Sequence, residues 1–315
     1  MRDAFVTRLT VLAASDPRIF LVIGDLGFGV LTDFAKNFPS QFLNAGVAEQ
    51  NMIGVATGLA LEGRIVFVYS IGNFPTLRCL EQIRNDACYH GANVKIVSMG
   101  GGFSYGALGM SHHATEDISI LRALPGVTMS VPGDAHEAAE ATTALAATPG
   151  VGYLRLDKSK APDINPGLET FQLGKIRTVR EGNDITLACC GGILGTVVVA
   201  AEALAREGIQ CRVLSVHTIK PIDREAISRA AAETGGIISV EENTIEGGLG
   251  GLIAETCLDS GVVPKKFARM GLNDTFSSIV GSQEYLLSRY ELDSTAIVAR
   301  AKALLRDGPS RIPNQ

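Results

Sequence analysis

Cysteine is scarce. Six are scattered through 315 residues with no Cys-x-x-Cys pair, and the one adjacent couple, Cys189 and Cys190, sits in an apolar run. That argues against a zinc site, and against a disulfide framework in so large a chain. Histidine is also sparse, with five residues. Basic runs and stripes are missing and the formal net charge is -5, so the charge offers no footprint for nucleic acid. No apolar run approaches the roughly 20 residues that span a bilayer. The opening Met1-Arg2-Asp3-Ala4 lacks the long apolar stretch of a signal peptide. The expectation is a cytoplasmic protein that engages neither membrane nor nucleic acid.

What is present is apolar material in quantity. The chain is 46% hydrophobic, enough for a large core and too long for one domain of common size, so two domains are expected. Short apolar runs at 19–23, 65–69, 94–99, 127–131 and 152–156 read as strands. Amphipathic patterns at 49–61, 76–89 and 135–147 read as helices between them. Such alternation predicts a mostly parallel sheet with helices on both faces, and the unbroken apolar strands fit burial on both sides. A polar, proline-bearing stretch at 157–167 interrupts the pattern and reads as a linker. A second set follows, with strands at 185–190, 211–216 and 236–240 and helices at 195–207, 224–233 and 250–259. The fold class is therefore α/β, with two doubly wound domains at 1–160 and 171–315 and a linker at 161–170.

Several residues stand out as chemistry. In Asn44-Ala45-Gly46-Val47-Ala48-Glu49-Gln50-Asn51-Met52 a strand ends and a helix begins. Glu49 falls in the first helical turn, where the backbone dipole favours a carboxylate. It reads either as a plain helix-start acid or as a buried carboxyl placed to hydrogen-bond a heterocycle and pass a proton. Phe74 follows a strand in a glycine-containing loop, as a core ring or as a stacking platform. His112 and His113 are adjacent in the glycine-rich Gly106-Ala107-Leu108-Gly109-Met110-Ser111, which is not a metal-binding spacing. The turn Glu246-Gly247-Gly248-Leu249-Gly250 precedes a helix and has the form of an anion site.

Taken together, these stretches resemble the transketolase family of thiamine-diphosphate enzymes. The run from Gly46 to Ala60 is similar to the start of its pyrimidine-binding core. Glu116-Asp117-Ile118, the run from Leu121 to Gly126, and His217-Thr218-Ile219-Lys220-Pro221 extend the resemblance over nearly the whole chain. It implies a thiamine-diphosphate-binding pyrimidine domain followed by a transketolase C-terminal domain. It also implies roles. Glu49 contacts the aminopyrimidine nitrogen and drives the proton shift that activates the thiazolium carbon. Phe74 stacks on the aminopyrimidine, and Asp25 and Leu26 lie at the cofactor. His112 binds substrate oxygens and moves protons. His113, where the family usually has Gln, stands beside it at the substrate. Arg2 and Arg155 take the positions of arginines that grip a sugar phosphate.

The departures carry equal weight. Ile71 replaces a common Phe. Gly29, Gly100 and Leu108 stand where transketolases usually have Ser, His and Asp, so three polar substrate ligands are gone while the cofactor residues remain. The pocket is expected to be remodelled for a donor or acceptor other than the common pentose phosphates. The Gly-Asp-Gly motif that holds magnesium and diphosphate is also missing, since Gly24-Asp25-Leu26-Gly27 opens the wrong domain. No metal ligand is therefore assigned to this chain. Magnesium is expected on a partner, an N-terminal transketolase-like subunit, in an α2β2 heterotetramer. The leading reading is a subunit that transfers a two-carbon ketol unit between sugars. The alternatives are the beta subunit of a 2-oxo acid dehydrogenase, a deoxyxylulose-phosphate-type synthase (normally one long chain), and a noncatalytic scaffold that kept the fold.

Overall fold

A computed structural model describes residues 1–157 and 170–306. The expected linker at 161–170 lies outside the described residues except for Thr170. Twelve strands are described: β1 (Ile19–Ile23), β2 (Phe42–Asn44), β3 (Ile65–Ile71), β4 (Val94–Met99), β5 (Val127–Ser130), β6 (Val151–Leu156), β7 (Arg177–Arg180), β8 (Ile185–Cys189), β9 (Cys211–Ser215), β10 (Thr218–Lys220), β11 (Ile237–Thr244) and β12 (Phe267–Leu272). They form a seven-stranded sheet, β10-β5-β6-β4-β3-β1-β2, and a five-stranded sheet, β12-β11-β8-β9-β7. Every pairing is parallel except β10 with β5 and β7 with β9.

The apolar strands explain the layering. Along β3, Phe67 and Tyr69 turn to one face, where they meet Phe5 and Leu9 of helix Arg2–Ser15 and Ala138 of helix Ala135–Ala147. Val66 and Val68 turn to the other, against Met52 and Ile53 of helix Glu49–Leu61. Alternation puts successive side chains on opposite faces, so a strand buried on both sides must be apolar throughout. The second face is continuous with the second domain, because Ile227, Ala230 and Ile253 belong to the same core.

Two expectations change. The segment 76–89 is not one helix. It runs as a 3-10 turn at Leu77–Cys79, a short turn at Leu80–Gln82 and a π-helix at Ile83–Cys88. Its buried Cys79, Ile83 and Ala87 recur every four residues, wider than the 3.6 of an α-helix, so the backbone unwinds to keep all three on the core. The two sheets are also not confined to their own stretches of sequence. β10 leaves the second domain and pairs with β5, adding an edge to the first sheet. Among the described residues, no helix is long and apolar enough to cross a membrane.

Candidate active site

β4, β3, β1 and β2 lie side by side in the first sheet, and the segments that leave their carboxyl ends carry Asp25, Leu26, Glu49, Phe74, His112 and His113. Parallel sheets collect ligands at this edge. Glu49 opens its helix here and is 2% exposed. Its Oε2 accepts a hydrogen bond from Arg78 Nη1 at 2.7 Å. The Arg78 guanidinium lies 4.5 Å from the centroid of the Phe74 ring, within cation–π range. Glu49 and the distant pair Phe74 and Arg78 are thus joined into one cluster.

Next to the carboxylate there is a close backbone approach at Gly24 and an unmet polar group. A Cβ on Gly24 would sit 3.3 Å from Glu49 Cγ and 3.5 Å from Ser70 Oγ. Ser70 Oγ is buried and has no hydrogen-bond partner, which is costly unless a ligand completes it. A carboxyl, an orphan hydroxyl and a half-buried aromatic ring suit a flat heterocycle with polar edges, and so fit the aminopyrimidine end of thiamine diphosphate. Asp25 adopts φ 56° and exchanges hydrogen bonds with Asn44: its N–H donates at 3.1 Å and its Oδ1 accepts at 2.9 Å. Leu26 lines an apolar cavity of about 210 Å³ with Ile23, Leu31 and Phe42. Both lie on the loop after β1, but their contacts are within this chain.

The substrate residues divide. His112 is half-buried, 5.2 Å ring to ring from Phe74 in an edge-on arrangement and 6.3 Å from Tyr105. Burial lowers its pKa, and the neighbouring His113 lowers it further. Arg2 is partly exposed and, among the described residues, pairs with the adjacent Asp3 at 3.0 Å. The other two are placed differently from expectation. His113 is 1% exposed, with Nδ1 2.7 Å from Ser277 Oγ and Nε2 3.1 Å from the Gly106 carbonyl, so neither ring nitrogen faces the groove. Arg155 is 3% exposed. It donates to the carbonyls of Ala114 and Glu242 at 2.6 and 2.8 Å and lies 3.2 Å from Asp117. Both bridge the two domains, with their polar atoms engaged within the chain. Sequence reasoning reads them as ligands because the residue type survives while the side chain has turned inward.

The turn at Gly248–Gly250, which has the form of an anion site, is filled by the protein's own carboxylate. Glu241 takes the N–H groups of Leu249 and Gly250 at 2.7 and 2.9 Å, satisfying the helix start from within. His217 is buried and stacks on Phe171 with centroids 4.3 Å apart, away from the site. Residues that the sequence did not single out are Arg78, Ser70 and Tyr105. Only Arg78 carried a signal, as a lone cation four residues beyond Phe74. Among the described residues, no group of three His, Cys, Asp or Glu side chains could hold a metal ion.

Comparison with known proteins agrees with this arrangement. The family model of the transketolase pyrimidine binding domain matches residues 1–163, and that of the transketolase C-terminal domain matches residues 174–297. The chain is 39% identical over 303 residues to one of the subunits of the apulose-4-phosphate transketolase of Phocaeicola vulgatus, covering 95% of this chain and 96% of that one. It is 37% identical over 302 residues to the 6-deoxy-6-sulfo-D-fructose transketolase subunit of a Clostridium strain, covering 96% and 93%. Among solved structures it matches a split-gene transketolase described as an inactive beta4 tetramer, with TM-score 0.86, 35% identity and coverage of 96% and 97%. A Campylobacter jejuni transketolase, 18% identical with TM-score 0.81, shares the fold, and this chain spans 46% of it. The chain belongs to the transketolase family, as the subunit of a split enzyme that carries the pyrimidine-binding and C-terminal domains.

Proposed function

We propose that this chain is half of a two-subunit transketolase that moves a two-carbon ketol unit from a ketose to an aldehyde sugar. The observation that carries the reading is the Glu49–Arg78–Phe74 cluster, at a carboxyl edge where Gly24 packs closely against Glu49 and Ser70 Oγ lacks a partner. Thiamine diphosphate, when bound, supplies the nucleophilic carbon that adds to the ketose carbonyl and carries the two-carbon unit. The rest falls to the protein. Glu49 exchanges a proton with the ring nitrogen of the aminopyrimidine, a task for which a buried carboxyl at a helix start is suited. Phe74 presents a flat apolar face that fixes the ring. His112, kept neutral by its surroundings, accepts and returns protons at the sugar oxygens as the donor carbon–carbon bond breaks and the acceptor bond forms.

The diphosphate and magnesium are assigned to an N-terminal transketolase-like partner in an α2β2 assembly working in the cytoplasm. The similarity to proteins named as subunits, and to a solved beta4 tetramer described as inactive, supports that division. For the substrate, the support is the removal of polar groups. Gly29 has nothing within 4 Å of where a Cβ would stand, Leu108 is exposed, and Arg155 is withdrawn. A sugar other than the common pentose phosphates fits this groove, as it does for two relatives whose names specify apulose 4-phosphate and a sulfofructose. The test is steady-state kinetics of the reconstituted pair with xylulose 5-phosphate and ribose 5-phosphate. A kcat/KM above about 10⁴ M⁻¹s⁻¹ would mark an ordinary transketolase and overturn the specialised-substrate reading.

A further inference from the structure

The loop after β4 begins with Gly100, whose φ of 90° is open to glycine and strained for other residues. A Cβ built there would lie 2.1 Å from both Cδ2 and Cε2 of Tyr105, so the edge of that ring abuts Gly100. Tyr105 therefore uses the volume that a side chain at 100 would fill. The ring is well anchored. The next residue, Gly106, packs so closely that a Cβ on it would lie 2.6 Å from the Gly281 carbonyl oxygen and from Leu286 Cδ1. His113 clamps the same loop through its ring nitrogen at the Gly106 carbonyl. Tyr105 is half-buried, with its Cδ2–Cε2 edge against Gly100 and its centroid 6.3 Å from that of His112.

Its position along the groove is what matters. Phe74, His112 and Tyr105 form a row, with centroid steps of 5.2 and 6.3 Å. The row starts at the ring assigned to the cofactor and ends at Tyr105, so a ketose held at Phe74 and His112 extends its remaining carbons toward Tyr105. The Arg2 charge acts on the phenol from the same end, and burial keeps the phenol protonated. His113 and Arg155 are turned inward, whereas Tyr105 stands beside His112.

Building on the ketol-transfer reading, we propose that Tyr105 is a specificity-determining residue: its ring, held edge-on against Gly100 beside His112, limits the length and bulk of the sugar's distal end. The rigid ring acts by volume, and the glycine at 100 is its seat. A small variant opens the groove to longer donors, and a phenylalanine preserves the limit.

The experiment uses the chain reconstituted with its partner, thiamine diphosphate and magnesium. The donors are fructose 6-phosphate, which has a long charged tail, and 3-hydroxypyruvate, which loses carbon dioxide and has no tail. The readout is the ratio of kcat/KM for the two donors, which a merely structural defect lowers together and leaves unchanged. Tyr105→Ala, and Tyr105→Leu as the milder cavity, are expected to raise the ratio in favour of fructose 6-phosphate at least tenfold. Tyr105→Phe is expected to stay within threefold of wild type. A ratio that stays within threefold or falls in both small variants overturns the proposal, as does a tenfold change in the phenylalanine variant. Wild-type activity with an unmoved ratio sinks the Tyr105 assignment alone. No turnover of either donor by the wild-type pair sinks the ketol-transfer reading, and this assignment with it.

Discussion

Arg78 stands between Glu49 and Phe74, with Nη1 2.7 Å from the Glu49 carboxylate and its guanidinium 4.5 Å from the Phe74 ring. Glu49 is buried, whereas the Arg78 side chain is 45% exposed. The cation therefore compensates a buried charge and still has a path to solvent. A pyrimidine ring that stacks on Phe74 and bonds Glu49 shares this space with the guanidinium, so the arginine must shift outward as the ring enters.

The pair should behave as a coupled unit. Glu49→Gln and Arg78→Gln each remove one charge, and the double variant removes both without leaving a lone buried carboxylate. A double-mutant cycle by urea unfolding of the chain should give a coupling of about 0.5–1.5 kcal/mol, reduced from a buried pair's value by the exposure of Arg78. Additive effects would show that the contact contributes nothing.

Glu49→Gln should also abolish activity with the fold intact, because the amide keeps the volume but cannot pass the proton. The loss in kcat for the reconstituted enzyme should be at least about 100-fold. The check closest to the chemistry is exchange of the cofactor's thiazolium proton followed by NMR. Exchange at the wild-type rate in the variant would remove Glu49 from its assigned role.

Cofactor affinity should depend on the partner. Alone, the chain offers a pyrimidine pocket and, among its described residues, no metal cluster. Calorimetry with thiamine diphosphate and magnesium should therefore detect weak binding or none for the isolated chain, and two cofactors per α2β2 assembly after the partner is added. Tight binding by the isolated chain would contradict the split site.

His112 sets a pH expectation. Burial, aided by His113, holds its pKa below the usual histidine value of 6.5. The neutral form that accepts protons therefore dominates at pH 7 and is lost only in more acidic solution. The acid limb of kcat/KM should lie below pH 6.5, and His112→Asn should flatten it while lowering the plateau. An acid limb unchanged in that variant would assign the titration to another group.

Stability has its own histidine. Burial, with a smaller contribution from Arg177, pushes His217 down to about 4. The unfolded chain then binds a proton between about pH 6.5 and 4 that the folded chain does not, so stability falls as the pH drops through that window. The full effect is on the order of 3 kcal/mol. Thermal unfolding from pH 7 to 4 should show the wild type losing stability more steeply than His217→Asn. Parallel curves would show that other groups carry the acid limb.

The sequence by itself determined the α/β layering, because strands buried on both faces must be apolar throughout and helices between them must carry one apolar stripe. It also determined Glu49 and Phe74, whose flanking residues fix them at a helix start and in a post-strand loop. Only the tertiary structure decided what those residues touch. Arg78 reaches Glu49 across 29 positions, β10 crosses to the other domain's sheet, and His113 and Arg155 face the domain interface. The residue type is written in the sequence, but the direction of a side chain depends on which carbonyls, charges and rings the fold brings within a few ångströms. Tyr105 shows this most clearly. Nothing in its local sequence marks it, and it acquires a position in the groove because a glycine five residues earlier leaves room for its ring.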